Sequence, residues 1–149
     1  DALAAVLTHT DLVLFDIKLL DPALHRAHTG QPNETILANL GRIADQVRGA
    51  PGGLKVWIRT PLIPGVTATA ENIRAIGQFL RTHLPDVVER WELCAFNNAC
   101  RSKYQRLGLP WRYAETPLMR RSETDALREV ALAAGVDAGR LVVSGLIAT

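Results

Sequence analysis

The sequence predicts an α/β fold in which parallel strands are covered by outer helices. Short apolar segments alternate with segments whose apolar residues recur at helical spacing, and this alternation implies right-handed crossovers and a parallel sheet. The chain has 149 residues, a length that corresponds to about one domain. Its composition, 48% hydrophobic and 21% charged, is that of a globular protein. Four predicted strands are too few to close an eight-stranded barrel. An open doubly wound sheet and a piece of a larger barrel both fit.

The first strand is predicted at residues 12–17 (LVLFDI), a continuous apolar run of the kind buried on both faces of a sheet. Residues 2–7 resemble the end of an earlier helix, and the chain opens on Asp1 rather than Met. These two features favour the piece of a larger barrel over the complete open sheet.

Loop signals follow the first strand at Asp21-Pro22 and at residues 29–32 (TGQP). We therefore expect His25 and His28 in a loop. Asn33 can then cap a helix. The predicted apolar stripe of that helix comprises Ile36, Leu37, Leu40, Ile43, Ala44 and Val47.

A second strand is predicted at residues 54–58, followed by a loop that Pro61 and Pro64 make rigid. A helix over residues 69–83 comes next. Its inward residues are predicted to be Ile73, Ile76, Phe79 and Leu80.

The third strand is predicted at residues 87–95, before a long polar segment with a short helix near residues 103–107. Ser122, with Asp125 three residues on, resembles a capping box. The apolar stripe of the helix that follows comprises Leu127, Val130, Ala131 and Ala134, and the last strand is predicted at residues 141–144.

The charges are mostly scattered, and the net charge of +2 does not by itself indicate a polyanionic partner. Residues 101–121 differ, because their cations outnumber the single Glu115 and are interleaved with aromatics. Such a pattern can bind nucleic acid or an acidic partner, although a solvated surface is the simpler interpretation. We expect no nucleic-acid partner. The cations are Arg101, Lys103, Arg106, Arg112, Arg120 and Arg121.

The cysteine content and the hydropathy of the sequence indicate where in the cell the protein is expected. The sequence has no run of about 18 apolar residues, so we expect no membrane span. Cys94 and Cys100 are too few for a secreted disulfide scaffold, and no charged-then-apolar leader opens the chain. A reducing cytoplasm is the expected location.

Candidate binding residues occur where predicted strands end, which is where parallel α/β folds gather functional groups. Asp16 and Lys18 point to one face, and the pair can hold a zwitterion; a plain ion pair is the alternative. Arg59, before the proline loop, presents a fork suited to a carboxylate, or else lies at the surface. After the third strand come Phe96, Asn97 and Asn98, whose amides can bind a polar ligand or form a local turn.

Metal ligands are not predicted. His25 and His28 lack a nearby third ligand, so hydrogen bonding is the simpler role. Cys94 and Cys100 lack the spacing of a zinc or iron–sulfur knuckle, and we expect both to be buried thiols. We also expect two strand tryptophans, Trp57 and Trp91, in the core.

Four motifs in order and spacing resemble the C-terminal half of glycyl-radical enzyme activating enzymes, the radical S-adenosylmethionine proteins typified by the pyruvate formate-lyase activase. The motifs are Asp16-Ile17-Lys18, then His25 with Thr29-Gly30 and Asn33, then residues 57–67 (WIRTPLIPGVT), and finally Lys103-Tyr104 with Leu107-Gly108. The resemblance covers nearly the whole chain.

The resemblance implies a partial (β/α)6, TIM-like barrel, with residues 1–149 as one fragment that supplies its last strands. It implies an oxidoreductase that cleaves S-adenosylmethionine reductively to a 5′-deoxyadenosyl radical, which takes hydrogen from a glycine of a partner enzyme. An electron donor such as flavodoxin or ferredoxin is implied as well. The family's C-x-x-x-C-x-x-C motif is absent here, so the ligands of the four-iron four-sulfur cluster are expected outside this chain, and the fragment alone is expected to be inactive.

The resemblance also implies residue roles. Asp16 and Lys18 would help hold S-adenosylmethionine, and Asp16 can contribute to a monovalent-cation site. Arg59 would lie near the same ligand. Asn97 stands where the type member has a histidine, and we assign it to the nucleoside. None of these residues is expected to be catalytic itself.

Two other functions remain open from the sequence. One is a Schiff-base aldolase barrel with Lys18 as nucleophile at a strand mouth. An ion pair between Asp16 and Lys18 would count against it. The other is a non-catalytic half-barrel that binds a protein partner through the basic face of residues 101–121.

Overall fold

The computed structural model describes residues 2–50 and 52–148, which form a four-stranded sheet and six helices. The strands are β1 (Leu12–Asp16), β2 (Lys55–Leu62), β3 (Val88–Ala95) and β4 (Leu141–Ser144). The helices are α1 (Ala2–Leu7), α2 (Pro22–Thr29), α3 (Glu34–Gly49), α4 (Ala70–His83), α5 (Arg101–Arg106) and α6 (Arg121–Ala133). The predicted α/β class is confirmed. None of the described helices is long and apolar enough to cross a membrane.

The strands are parallel and lie in the order β1-β2-β3-β4. Right-handed crossovers between strands in chain order place every connecting helix on the same side of the sheet, whereas a doubly wound sheet reverses its order part-way. The sheet therefore has the arrangement of consecutive strands in a β/α barrel. The face that the helices leave uncovered is called the open face below.

The hydrophobic core lies between the other face of the sheet and the helices. Ile58 and Trp91 have no solvent exposure and pack with Ile73 and Ile76 of α4. Helix α4 also packs against the end of α6, where an added Cβ on Gly77 would lie 2.7 Å from the Cβ of Ala134. Only glycine permits this approach of the two helices.

The predicted burial of β1 on both faces is wrong. Leu12 is 37% exposed and Leu14 is 53% exposed, because both point to the open face, while Val13 and Phe15 pack toward the core. The connecting helices lie against the opposite face of the sheet, and within residues 2–50 and 52–148 this face of β1 stays exposed. A continuous apolar run is therefore no proof of burial on both faces.

The predicted loop after β1 contains helix α2, which carries His25 and His28. The side chain of Asp21 caps this helix by accepting a hydrogen bond from the Leu24 N–H at 2.8 Å. Pro22 fits because proline is tolerated in a first helical turn. Helix α3 begins directly after Asn33, as predicted, but the Asn33 side chain does not cap it.

The predicted capping box at Ser122 and Asp125 is also wrong. Helix α6 begins at Arg121, and the Glu123 carboxylate accepts the backbone N–H of Arg120 at 2.6 Å. The predicted helix over residues 69–83, the third and fourth strands, and the apolar stripes of α4 and α6 agree with the structure. The stripe of α3 is confirmed at Leu40, Ile43, Ala44 and Val47, whereas Ile36 and Leu37 are only half-buried.

Candidate functional site

Asp16 and Lys18 form an ion pair where β1 ends. The Lys18 Nζ donates to Asp16 Oδ2 at 3.0 Å, and the two side chains are 42% and 41% exposed. The pair is open to solvent and so contributes little to stability. It also engages the Lys18 Nζ with a carboxylate, whereas the nucleophile of a Schiff base must be a free amine. This contact therefore counts against the aldolase hypothesis.

Two buried side chains hold the end of β1 in place. The hydroxyl of Thr60, on β2, donates to the Ile17 carbonyl at 3.0 Å, and Trp91 Nε1 donates to the same hydroxyl at 3.0 Å. The backbone N–H of Ile17 donates to the Arg59 carbonyl at 2.9 Å. Hydrogen bonds that are this well buried favour a single arrangement of the strand end.

Two buried asparagines hold the residues that follow β1. Asn72 Nδ2 donates to the carbonyl oxygens of Lys18 at 2.9 Å and Thr67 at 3.0 Å. Asn33 Nδ2 donates to the carbonyls of Leu19 and Leu20 at 3.1 and 2.8 Å. No local sequence pattern predicts these roles, because each hydrogen bond joins segments that are distant in the chain. The backbone that carries Lys18 is thereby fixed from α4 and from the start of α3.

Arg59 occupies the middle of a charged row across the open face. Its register partners are Asp16 on β1 and Glu92 on β3. Arg59 Nε lies 3.3 Å from Glu92 Oε2, but it is not aligned for a hydrogen bond. The predicted position of Arg59 at the end of its strand is wrong, because β2 continues to Leu62. Arg59 therefore faces the open side from within the strand rather than from a loop.

The predicted rigidity of the loop after β2 has a structural basis in Thr67. Its hydroxyl donates to the Pro61 carbonyl and accepts from the Ile63 N–H at 2.7 Å. The Ile63 carbonyl accepts from the N–H groups of Val66, Thr67 and Ala68.

Cys94, on β3, adjoins Arg59 on the open face. Burial raises the pKa of the Cys94 thiol, and Glu92 acts in the same direction, against the opposing effect of Arg59. Contact with Cys94, followed by the charges of Glu92 and Asp16, raises the pKa of Arg59. The thiol stays protonated and the guanidinium stays charged at neutral pH. Cys100, by contrast, is exposed, so the prediction that both thiols are buried is wrong for Cys100.

Trp57 also lies on the open face, two residues before Arg59 on β2. It is only half-buried, so the prediction that it lies in the core is wrong. Its Nε1 donates to Glu89 at 2.9 Å, and the Arg90 guanidinium lies 3.9 Å from the centre of its ring. The hydrogen bond from Trp57 is the largest cause of a lowered pKa at Glu89. Trp91 is buried, as predicted.

Asn97 lies at the carboxyl edge of the sheet, two residues beyond the end of β3, and is exposed. Its Oδ1 accepts from the Ala99 N–H at 3.1 Å, which is the local turn considered above. Among the contacts of the described residues, none joins Asn97 to Asp16, Lys18 or Arg59. The structure thus brings the other three candidates together and leaves Asn97 outside their contacts.

His25 is a hydrogen-bonded helix residue. Its Nδ1 lies 2.7 Å from the Gln31 carbonyl oxygen and 3.0 Å from the Thr29 hydroxyl, and the side chain is buried. These contacts agree with the predicted structural role. Within residues 2–50 and 52–148, no group of three His, Cys, Asp or Glu side chains could hold a metal ion.

Comparison with known proteins supports the resemblance seen in the motifs. The chain is 32% identical over 117 residues to the (2S)-3-sulfopropanediol dehydratase activating enzyme of Klebsiella oxytoca, which covers 78% of this chain. It is 37% identical over 102 residues to the pyruvate formate-lyase-activating enzyme of Streptococcus mutans, covering 68%. It is 31% identical over 132 residues to the isethionate sulfite-lyase activating enzyme of Desulfovibrio desulfuricans, covering 89%. The chain is a homologue of the glycyl-radical enzyme activating enzymes.

These matches take in 35%, 36% and 40% of the three activating enzymes, so the chain spans little more than a third of the relatives it matches. The fold agrees with a crystal structure of a domain of pyruvate-formate lyase-activating enzyme from Bacteroides vulgatus. That comparison has a TM-score of 0.70 at 23% identity and covers 96% of this chain and 73% of the other. No protein-family model matches the chain.

Proposed function

We propose that the chain is the C-terminal part of a glycyl-radical enzyme activating enzyme and that its open face holds S-adenosylmethionine. The observation that carries the proposal is the register that sets Asp16, Arg59 and Glu92 side by side in a homologue of such enzymes. Carboxylates and cations alternate along this row, and parallel α/β folds bind ligands near the carboxyl ends of their strands.

The residues fit the ligand's chemistry. The methionyl end of S-adenosylmethionine carries a carboxylate, an ammonium group and a positive sulfonium. Lys18 and Arg59 would meet the carboxylate, and Asp16 and Glu92 would meet the positive groups. The side chains of Asp16, Lys18 and Arg59 are each about two-fifths exposed, so they are accessible on the open face.

Asn97 would meet the nucleoside. Its Oδ1 is engaged in the local turn, and its amide nitrogen would supply the contact. Asp16 is also the residue proposed for a monovalent cation, because its carboxylate is the kind of oxygen ligand that hard cations prefer.

The described part of the chain does not fit a four-iron four-sulfur cluster. Such a cluster takes several cysteine thiolates, whereas Cys94 is half-buried beside Arg59 and Cys100 is exposed at the start of α5. The ligands would have to come from the remaining part of the enzyme. S-Adenosylmethionine, when bound beside such a reducing cluster, supplies the hydrogen-abstracting 5′-deoxyadenosyl group.

The chain's own contribution is binding and orientation. Asn33, Asn72 and Thr60 fix the backbone around Lys18 before any ligand arrives, which lowers the entropic cost of positioning it. The protein substrate would be a glycyl-radical enzyme, and a flavodoxin or ferredoxin would supply the electron.

Equilibrium dialysis of labelled S-adenosylmethionine against the chain tests this proposal. We expect saturable binding that weakens by about tenfold or more in Lys18→Ala and in Arg59→Ala, because each removes a charge-assisted contact. Lys55→Ala is the matched control, because Lys55 is the first residue of the strand that carries Arg59, lies away from the carboxyl edge, and is paired with Glu89. Absence of binding, or equal weakening in the control, would contradict the proposal.

A further inference from the structure

A second feature of the carboxyl edge is the segment that connects β3 to α6, residues 96–121, called the basic–aromatic segment below. Connections from a strand to the following helix lie at the carboxyl edge of a parallel sheet, the edge at which Lys18 follows β1. The segment therefore lies at the mouth of the candidate site. Phe96, its first residue, is buried against the core directly after β3.

The segment has a packed aromatic interior. The ring of Trp111 stacks on Phe96 with 6.1 Å between centroids and on Tyr104 at 5.8 Å. Tyr113 meets Trp111 edge-on at 6.5 Å. Because these rings pack on one another and on the core, the segment has a defined surface rather than a loose loop.

Two leucines project from this surface. Leu107 is 59% exposed and Leu109 is 55% exposed. The turn that carries them is fixed, because the Leu107 N–H donates to the Lys103 carbonyl at 3.1 Å and the Leu109 N–H donates to the Tyr104 carbonyl at 3.0 Å. Gly108 between them has a φ of 64°, which favours glycine. A well-defined turn therefore keeps two apolar side chains exposed to solvent.

The segment that carries the leucines is rich in positive charge. Arg101 is paired with Glu115 at 2.9 Å. The other cations of the segment have no carboxylate within salt-bridge distance among the described residues; they are Lys103, Arg106, Arg112, Arg120 and Arg121. Lys103, Arg106 and Leu107 are three and four residues apart, and so they share one face of α5 and its end.

We propose that the basic–aromatic segment is a docking surface for an acidic protein segment that also carries apolar side chains. Carboxylates of the partner would neutralise Lys103 and Arg106, and its apolar side chains would cover Leu107 and Leu109. The inference rests on the proposed function in one respect: the partner is then the protein substrate, delivered to the mouth of the site.

A protein partner fits this surface better than a nucleic acid. Single strands bind by stacking bases on free aromatic faces. Here Trp111 is half-buried and already stacks on both Phe96 and Tyr104, so its ring is engaged within the segment. Exposed leucines cannot form hydrogen bonds with a base or a phosphate, whereas they suit the apolar side chains of a protein segment.

Fluorescence anisotropy with three labelled probes tests the inference: a peptide of glutamates and leucines, a peptide of glutamates and serines, and oligothymidylate. We expect the glutamate–leucine peptide to bind, and salt to weaken its binding. Affinity should fall about tenfold or more in Lys103→Glu/Arg106→Glu, through charge reversal, and in Leu107→Ser/Leu109→Ser, through lost apolar contact. Arg74→Glu, a charge reversal on the exposed side of α4, is the matched control and should bind normally.

Absence of peptide binding, or equally tight binding of the serine peptide or of oligothymidylate, would overturn the docking surface. So would an equal loss of affinity in Arg74→Glu. Dialysis of S-adenosylmethionine against the same variants separates the two proposals, because the surface variants should bind it normally. Peptide binding by a chain that does not bind S-adenosylmethionine would support the surface and overturn the proposed function.

Discussion

Asn72 Nδ2 donates a hydrogen bond to the backbone carbonyl of Lys18 at 2.9 Å, which joins the first turn of α4 to the end of β1 across 54 residues of sequence. The same side chain reaches the Thr67 carbonyl with Nδ2 and accepts from the Leu20 N–H through Oδ1. One buried amide therefore fixes Lys18 and Leu20, which follow β1, and Thr67, which follows β2.

Replacement of Asn72 by alanine should lower both stability and ligand affinity. It leaves buried backbone groups unpaired at about 1–3 kcal/mol each, so we expect a loss of about 2–4 kcal/mol in the free energy of unfolding, measured by urea titration. The affinity for S-adenosylmethionine should fall as Lys18 loses its fixed position. Asn98→Ala, at an exposed position, is the control and should change neither quantity. Unchanged stability in Asn72→Ala would show that these hydrogen bonds do not hold the strand end.

The contact between α4 and α6 predicts opposite effects of the same substitution at two helical glycines. Gly77→Ala places a Cβ 2.7 Å from that of Ala134 and should destabilise the fold by about 1–3 kcal/mol through overpacking. A Cβ added at Gly41 on α3 would have no neighbour within 4 Å, so Gly41→Ala should stabilise the fold by about 0.5–1 kcal/mol. Thermal melts of the two variants beside the parent chain provide the measurement. Equal effects at both positions would contradict the close approach of the helices.

The ion pair of Arg48 and Asp86 predicts a pH dependence of stability. Arg48 donates to both carboxylate oxygens, at 2.9 and 2.8 Å, and this hydrogen bonding lowers the pKa of Asp86 from 3.8 to about 2. Because the folded pKa is the lower one, the stabilisation is present above pH 3.8 and is lost as the pH falls through about 2.

Asp86→Asn should therefore melt at a lower temperature than the parent chain at pH 7. The difference should shrink as the pH falls through this range, and high salt should reduce it because the pair is exposed. Asp125→Asn, at an exposed position on α6, is the control. A difference in melting temperature that stays constant with pH would contradict the role given to this pair.

The two cysteines should differ in their rate of alkylation. Iodoacetamide reacts with the thiolate, and burial raises the pKa of Cys94, whereas Cys100 is exposed. Mass spectrometry should find Cys100 modified first at neutral pH, with Cys94 following only at higher pH or after unfolding. Cys100→Ser isolates the slow reaction. Rapid modification of Cys94 in that variant would show that its thiol is not protected on the open face.

Much of the fold could be predicted because the covered face of each helix has a sequence period. The stripe of α3 at Leu40, Ile43 and Ala44 is an example. The exposure of β1 could not be predicted the same way, because its apolar run does not reveal that the helices cover only one face of the sheet. Helix α2 is not predicted from the sequence, because Asp21-Pro22 is a turn signal as well as a helix start.

Some residues of the candidate site could likewise be predicted from the sequence, and others could not. Asp16 and Lys18 were found because alternation along a strand puts them on one face. Glu92 was missed because its place beside Arg59 depends on the register between two strands. Asn33 and Asn72 were not given their positioning roles, because hydrogen bonds between distant segments have no local signature.

The most direct test is to sequence the reading frame upstream of the codon for Asp1. We propose that these residues are the C-terminal part of a glycyl-radical enzyme activating enzyme whose cluster ligands lie elsewhere in the enzyme. We therefore expect the upstream frame to be open and to encode a C-x-x-x-C-x-x-C motif. An upstream frame that is closed, or that is open but lacks three cysteines at this spacing, would contradict it.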